Sequence, residues 1–228
     1  MTAYKIMRAS HYELGSLVDT THINYGYRTG RSHLAKALAD AAIEVCSQSI
    51  ITFQQMIDFI HKQQVRASDL KIPNTITRAQ ATTLKFLGRS APSIVEFDFG
   101  ATFWEALYER IRTEERPNCP SRLKSYFASR DIDSLRLYRD EHWADRMGDK
   151  LTCAIDISGC PVAFDVDTVI LDKVGGDMTY RSARPHVLRY WDQETSSCSG
   201  LMKPDTHLGE NARQIEVSDD QTTSFLFR

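Results

Sequence analysis

Glu115-Arg116-Pro117-Asn118-Cys119-Pro120-Ser121-Arg122-Leu123-Lys124-Ser125-Tyr126-Phe127-Ala128-Ser129 is the stretch on which the fold turns. Upstream of it, apolar residues recur at helical spacing. Downstream, they gather in short runs bounded by turn residues. The charged end of a helical pattern over 101–115 runs into Pro117, and Pro120 follows. Proline lacks a backbone donor and pushes its predecessor toward extended backbone, so the helix stops here. Residues 124–129 then read as a compact strand, with Ser, Arg and an aromatic pair concentrated at its start.

Working back from this stretch, 101–115 is the clearest helix, with Phe103, Trp104, Leu107, Tyr108 and Ile111 along one side. Helical signals also fill 32–64. Ser32 is a plausible N-cap, and Leu34, Leu38, Ala41, Ala42 and Val45 follow at helical spacing. Phe53, Met56, Ile57 and Ile60 repeat the pattern in a second helix. Residues 77–87 predict a third, closed by Gly88. A short strand over 4–7 opens the chain, and 16–30, rich in Thr, Tyr and Gly, reads as a long loop.

Working forward, 132–143 returns to helix and 151–157 reads as a strand. Residues 161–164 look like its neighbour across Ser158-Gly159, which predicts a hairpin. A short helix is expected over 187–191 and a polar loop over 192–210. Strands over 214–217 and 222–227 flank Ser218-Asp219-Asp220 as a second hairpin. Helices crowd the first half and strands the second, an order that predicts one α+β domain over 1–228.

The composition narrows function without naming it. The 228 residues carry 28 Lys and Arg against 30 Asp and Glu, a net charge of −2, which argues against a grip on nucleic acid by bulk positive charge. No run approaches the roughly 20 apolar residues of a membrane span. The start carries no apolar signal run. A cytosolic site of action is expected, and a protein delivered into a host cell would look the same. Five cysteines, Cys46, Cys119, Cys153, Cys160 and Cys198, form no CxxC pair and read as thiols filling space in a reducing compartment. Cys119 is the best placed to be a nucleophile, but no His lies near it in sequence. No Gly-rich phosphate loop, HExxH or GxSxG occurs, and the His residues are scattered, so no metal is expected. His142, beside Glu141, reads as an ordinary surface or core residue.

The chemistry-bearing residues sit in the stretch quoted first. Arg122 has the fork geometry that clamps phosphates. A hydroxyl such as Ser125 can orient a ribose, and Tyr126 or Phe127 can stack on a planar heterocycle. On these residues alone, a loop leading into a buried Tyr-Phe strand is the plain alternative.

The succession PSRLKSYFAS (120–129), a helix, LTCAIDIS (151–158), FDVDTVILD (164–172), Tyr190-Trp191 and Ile215-Glu216-Val217 resembles the ADP-ribosyltransferase-like superfamily. In outline it is similar to bacterial effector ADP-ribosyltransferases that modify host proteins, including those acting on a threonine of ubiquitin. The resemblance covers the first strand and the chain from 101 onward. It leaves 32–88 as an N-terminal helical insert. It implies a split β-sheet core and a mono-ADP-ribosyltransferase that consumes NAD as substrate. The implied partner is a protein, with ubiquitin or another host protein as candidate, and neither nucleic acid nor membrane.

The resemblance also implies roles. Members carry an Arg or His on the first strand, a place held here by Arg8, with Ser10 beside it among the NAD-contacting residues. They carry a Ser or Tyr at the start of a middle strand, matched by Ser125 and Tyr126, with Arg122 and Phe127 adjoining. They carry a late Glu, matched by Glu216, which would bind the ribose hydroxyl and stabilise developing positive charge as nicotinamide leaves. The Ser-Thr-Ser strand of one branch is absent. Gln214-Ile215-Glu216 satisfies the bare QxE spacing of arginine-modifying members. In an alternating strand, residues two apart share a face, so both side chains would reach one site. A non-enzymatic interaction module on a degenerate form of this fold is the main alternative, using the helical insert and 192–210. A nucleic-acid-modifying transferase of the same superfamily fits the net charge poorly.

Overall fold

Two short backbone hydrogen bonds join the first strand to the stretch quoted above: Tyr4 N donates to Ser129 O at 2.6 Å, and Ser129 N donates to Tyr4 O at 2.7 Å. The structure, a computed structural model, describes residues 1–11, 14–18, 33–64, 74–90, 99–136, 150–160, 162–194, 204–208 and 212–217. The chain is a mixed α+β protein that falls into two compact units. One comprises 1–26, 119–169 and 193–228, the other 27–118 and 170–192.

The first unit is built from strands β1 (Thr2–Arg8), β2 (Leu17–Val18), β3 (Tyr126–Ala128), β4 (Lys150–Asp156), β5 (Ala163–Asp167), β6 (Pro204–Leu208) and β7 (Ala212–Val217). They form a four-stranded sheet in the order β1-β4-β7-β2 and a three-stranded sheet in the order β3-β6-β5. Every pairing is antiparallel. The hairpin expected across Ser158-Gly159 does not form. β4 has β1 on one edge and β7 on the other, so no ladder remains for β5, which pairs with β6 instead. β6 in turn corrects the expected loop over 192–210. Its sequence, PDTHL, shows no apolar alternation, and its proline is tolerated because it stands at the first strand position. β2 likewise takes two residues out of the loop expected over 16–30.

Residues 132–136 are helical, as expected. The remainder of that helix with His142, the strand expected over 222–227, the Ser218-Asp219-Asp220 turn, Ser32 and Cys198 all lie outside the described residues. Ala3, Tyr126, Ala128, Ile155 and Ile157 make a buried apolar cluster in this unit. Arg130 pairs with Asp165 at 2.7 Å and ties the end of β3 to β5. Asp156 accepts from the Ser158 hydroxyl and amide, which holds its carboxyl below the ordinary carboxylate range.

The second unit holds five α-helices among the described residues: α1 (His33–Ser47), α2 (Phe53–Gln64), α3 (Arg78–Ser90), α4 (Phe99–Glu115) and α5 (Tyr180–Trp191). Reciprocal capping boxes start three of them. Thr52 and Gln55 cap α2, Thr77 and Gln80 cap α3, and Thr179 and Ser182 cap α5. Two expectations need correction. α3 runs two residues past Gly88, and α5 starts seven residues before 187 because the Thr179 box sets its first turn despite Pro185 in its interior. Phe53, Phe103 and Trp104 pack edge to face with ring centroids 5.4–5.5 Å apart. Tyr190 stands between Tyr108 at 5.3 Å and Trp191 at 5.0 Å. The Trp191 ring is 2% exposed and its Nε1 donates to Tyr108 O at 3.2 Å. The Tyr-Trp pair is therefore core. Arg116 holds Asp192 in a two-point ion pair at 2.6 and 2.9 Å, joining the end of α4 to the end of α5. Among the described residues, no helix is long and apolar enough to cross a membrane.

Three outcomes follow from this packing. Trp191→Ala removes a buried ring and its hydrogen bond, and lowers the unfolding free energy by about 3–5 kcal/mol in urea titrations followed by circular dichroism. A loss under about 1 kcal/mol would place the ring outside the core. Burial pushes the Cys46 and Cys153 thiols up to about 12, so at pH 8 a thiol reagent labels neither until the chain unfolds. Peptide mapping of the labelled native protein reads this directly. The Arg116 hydrogen bond lowers the Asp192 pKa, so this pair's stabilisation is present above the ordinary Asp value of 3.8 and fades as pH falls through the lowered value. The stability gap between wild type and Arg116→Ala therefore closes in acid, and a gap that stays constant down to pH 2 would contradict the linkage.

Candidate functional site

The site is best built from strand register. Directly opposed residues on antiparallel strands share a face, and the face alternates with each step along a strand. β1 runs against β4 without interruption from Thr2↔Asp156 to Arg8↔Lys150. Tyr4, Ile6 and Arg8 therefore share a face with Ala154, Thr152 and Lys150. Glu216 on β7 stands opposite Ala154, so its position belongs to that same face. The Tyr4↔Ser129 bridge carries the face onto β3, where Ser129 and Phe127 continue it. Ser125 is extended too, at φ −88° and ψ 149°, and takes the next position.

Arg8, Phe127, Ser125 and Glu216 are thus placed on one face of the strand unit. Arg122 joins them from a 3-10 turn over Arg122–Lys124, its guanidinium 4.8 Å from the centroid of the Phe127 ring. That guanidinium is buried, with its residue 8% exposed, and stacking on an aromatic face is the geometry that suits Arg better than Lys. Ser125 is also buried and its hydroxyl donates to Ser121 O at 2.7 Å, closing the turn that carries Arg122. Ser10 lies exposed in a 3-10 turn over Ala9–His11, immediately after Arg8.

Tyr126 is placed apart. Its side chain is 2% exposed and belongs to the apolar cluster with Ala3 and Ile155, the face alternate to that of Arg8. Lys5 reaches it there, with Nζ 4.2 Å from the ring centroid and donating to Phe127 O at 2.5 Å. Lys5 thereby fixes the backbone of β3 beside β1.

The Gln214–Glu216 pair is corrected by the same register. Cys153↔Val217 and Ala154↔Glu216 are followed by Ile155↔Gln214, so Ile215 is an extra residue in β7. Such a bulge interrupts alternation. Gln214 and Glu216 face consecutive residues of β4 and fall on opposite faces, so the QxE spacing does not place both at one site.

Two members of the face were not legible in the sequence. Lys150 is directly opposite Arg8, which sets two cations side by side at one end of the ladder. Thr152, opposite Ile6, is 1% exposed. Neither has a spacing signal, because only the β1–β4 register brings them beside Arg8.

Elsewhere the described residues offer little competing chemistry. Cys119 and Cys160 are half-buried, and the Cys160 thiol donates to Val162 O at 2.8 Å. No group of three or more His, Cys, Asp or Glu among the described residues is placed to hold a metal ion. Asp131 accepts from the Ser134 hydroxyl and from the amides of Asp133 and Ser134, which lowers its pKa and marks it as the cap of the turn after β3. No protein-family model matches the sequence, and no curated protein matches it.

Proposed function

We propose that this face binds NAD and that the protein is a mono-ADP-ribosyltransferase acting on a protein side chain, on an ADP-ribosyltransferase-like split-sheet core. The observation that carries the proposal is the pairing of Arg8 with Lys150 on the face that also holds the Glu216 position. A dianion such as the NAD diphosphate suits two basic positions set side by side, because each can give it a charge-assisted hydrogen bond. Arg122 stacked on Phe127 supplies a cationic, planar group for the phosphate-bearing part of the dinucleotide. Tyr126, from the opposite face, positions this group and does not meet the substrate.

The reaction breaks the bond between nicotinamide and C1′ of its ribose. The electron pair leaves with nicotinamide, whose ring nitrogen loses its positive charge. Positive charge then builds on the ribose, and the Glu216 carboxylate stabilises it. The acceptor's lone pair forms the new bond to C1′ and its proton passes to solvent. The sequence resemblance makes the acceptor a protein, with ubiquitin or another host protein as candidate, and a cytosolic site of action follows from that.

Calorimetric titration with NAD and assay of nicotinamide release test the proposal together. Wild type is expected to bind NAD, and Arg8→Ala to bind it about tenfold more weakly. Glu216→Ala is expected to keep binding while nicotinamide release falls about 10²–10³-fold. Absence of NAD binding by wild type would overturn the proposal in favour of an interaction module. Equal release by Glu216→Ala would remove Glu216 from the mechanism.

A further inference from the structure

An antiparallel sheet that packs one face on a core commonly turns polar residues outward on the other. In the three-stranded sheet the core face is that of Tyr126 and Ala128, which lie in the buried apolar cluster. The opposite face breaks that rule. The register sets Phe127 of β3 against His207 of β6, and His207 against Phe164 of β5. Directly opposed residues share a face, so these three positions form one row across the sheet. Adjacent strands lie about 4.8 Å apart, which makes the row about 10 Å wide. Phe127 and Phe164 are half-buried, so part of each is open to solvent. Val166, two residues beyond Phe164, is buried and ends the open stretch along β5. Arg122 adds its guanidinium over the Phe127 ring.

The place of the row among the strands points to its ligand. The Tyr4↔Ser129 bridge joins β3 to β1, so the strands of this unit follow one another as β5-β6-β3 and then β1-β4-β7-β2. Arg8 and Lys150 stand in the middle of that series, on β1 and β4. The Glu216 position lies to one side, on β7, and the aromatic row lies to the other. A dinucleotide with its diphosphate at the two basic positions and its nicotinamide ribose at Glu216 sends its adenosine toward the row. Bases stack on aromatic side chains, and the Arg122 guanidinium beside the row suits the phosphate that the adenosine carries.

We infer that the Phe127–Phe164 row is a stacking platform for the adenine of the dinucleotide. The inference rests on the NAD-binding proposal and adds to it the surface that holds the adenosine end. Phe164 is the residue that decides it, because the Phe127 ring is already engaged by Arg122. Cross-strand apolar contact within the sheet would be served by leucine as well as by phenylalanine, whereas stacking on a base needs a ring.

The test compares wild type, Phe164→Leu and Phe164→Tyr by calorimetric titration with AMP, with nicotinamide mononucleotide and with NAD, each variant first shown to be folded by circular dichroism. Phe164→Leu is expected to bind AMP and NAD about tenfold more weakly, and nicotinamide mononucleotide as wild type does. Phe164→Tyr keeps a ring and is expected to bind all three as wild type does. Magnetisation transfer from labelled phenylalanine rings to the adenine protons of bound AMP gives a second readout that needs no variant. Wild-type AMP affinity in Phe164→Leu would overturn the inference while leaving NAD binding intact. Equal weakening toward nicotinamide mononucleotide would overturn it too, since that molecule carries no adenine. A single-stranded oligonucleotide held through Phe164 more tightly than AMP would replace the dinucleotide with nucleic acid and overturn it as well. A wild type that binds AMP through Phe164, yet neither binds NAD nor releases nicotinamide, would remove the transferase reading and keep the adenine platform, so the two failures are told apart.

Discussion

The strand unit depends on one pair of backbone hydrogen bonds. Tyr4 and Ser129 exchange amide and carbonyl at 2.6 and 2.7 Å, and this bridge is what attaches the three-stranded sheet to the edge of the four-stranded one. Lys5 reinforces it from the next residue, one end of the side chain on the Phe127 carbonyl and over the Tyr126 ring. Below the bridge Ala3, Ala128 and Ile155 close the apolar cluster. Because the bridge fixes the register of β3 against β1, it also decides that Phe127 and Ser125 share a face with Arg8 while Tyr126 does not.

The helical unit obeys a different constraint. Three of its helices begin at side-chain caps, and aromatic edge-to-face contacts and ion pairs at helix ends hold the unit. Arg116 with Asp192, Arg184 with Glu115, and the Tyr180 hydroxyl on Glu114 all join α4 to α5. These pairs are partly exposed, so each contributes little by itself. The apolar packing beneath them carries the unit.

Elements with strong local patterns were legible in the sequence. The helical spacing of Leu38, Ala42 and Val45, the proline-stopped end of α4, and the apolar runs of β1 and β4 each follow from a local rule. Three features were not. β6 has no alternation and starts with proline, so its strand character comes from its two neighbours. The partners of β4 come from chain segments far away in sequence, which periodicity does not see. The site divides in the same way. Arg8, Arg122, Ser125, Phe127 and Glu216 were nameable by residue type and resemblance. Lys150, Thr152 and the separation of Gln214 from Glu216 exist only through register, and the last through a single inserted residue, Ile215.

A joint with a single backbone bridge, stiffened by the apolar cluster beneath it, acts mechanically as a pivot. Arg8 lies four residues beyond Tyr4, and Ser125 four residues before Ser129, so both stand on the same side of the joint. At about 3.3 Å per residue, each is at the tip of an arm about 13 Å long. A rotation of only about 10° at the bridge moves such a tip by about 2 Å, comparable to the difference between a hydrogen bond and no contact. The separation of Arg8 from Ser125 is thus set by the bridge, by Lys5 and by the apolar cluster beneath them.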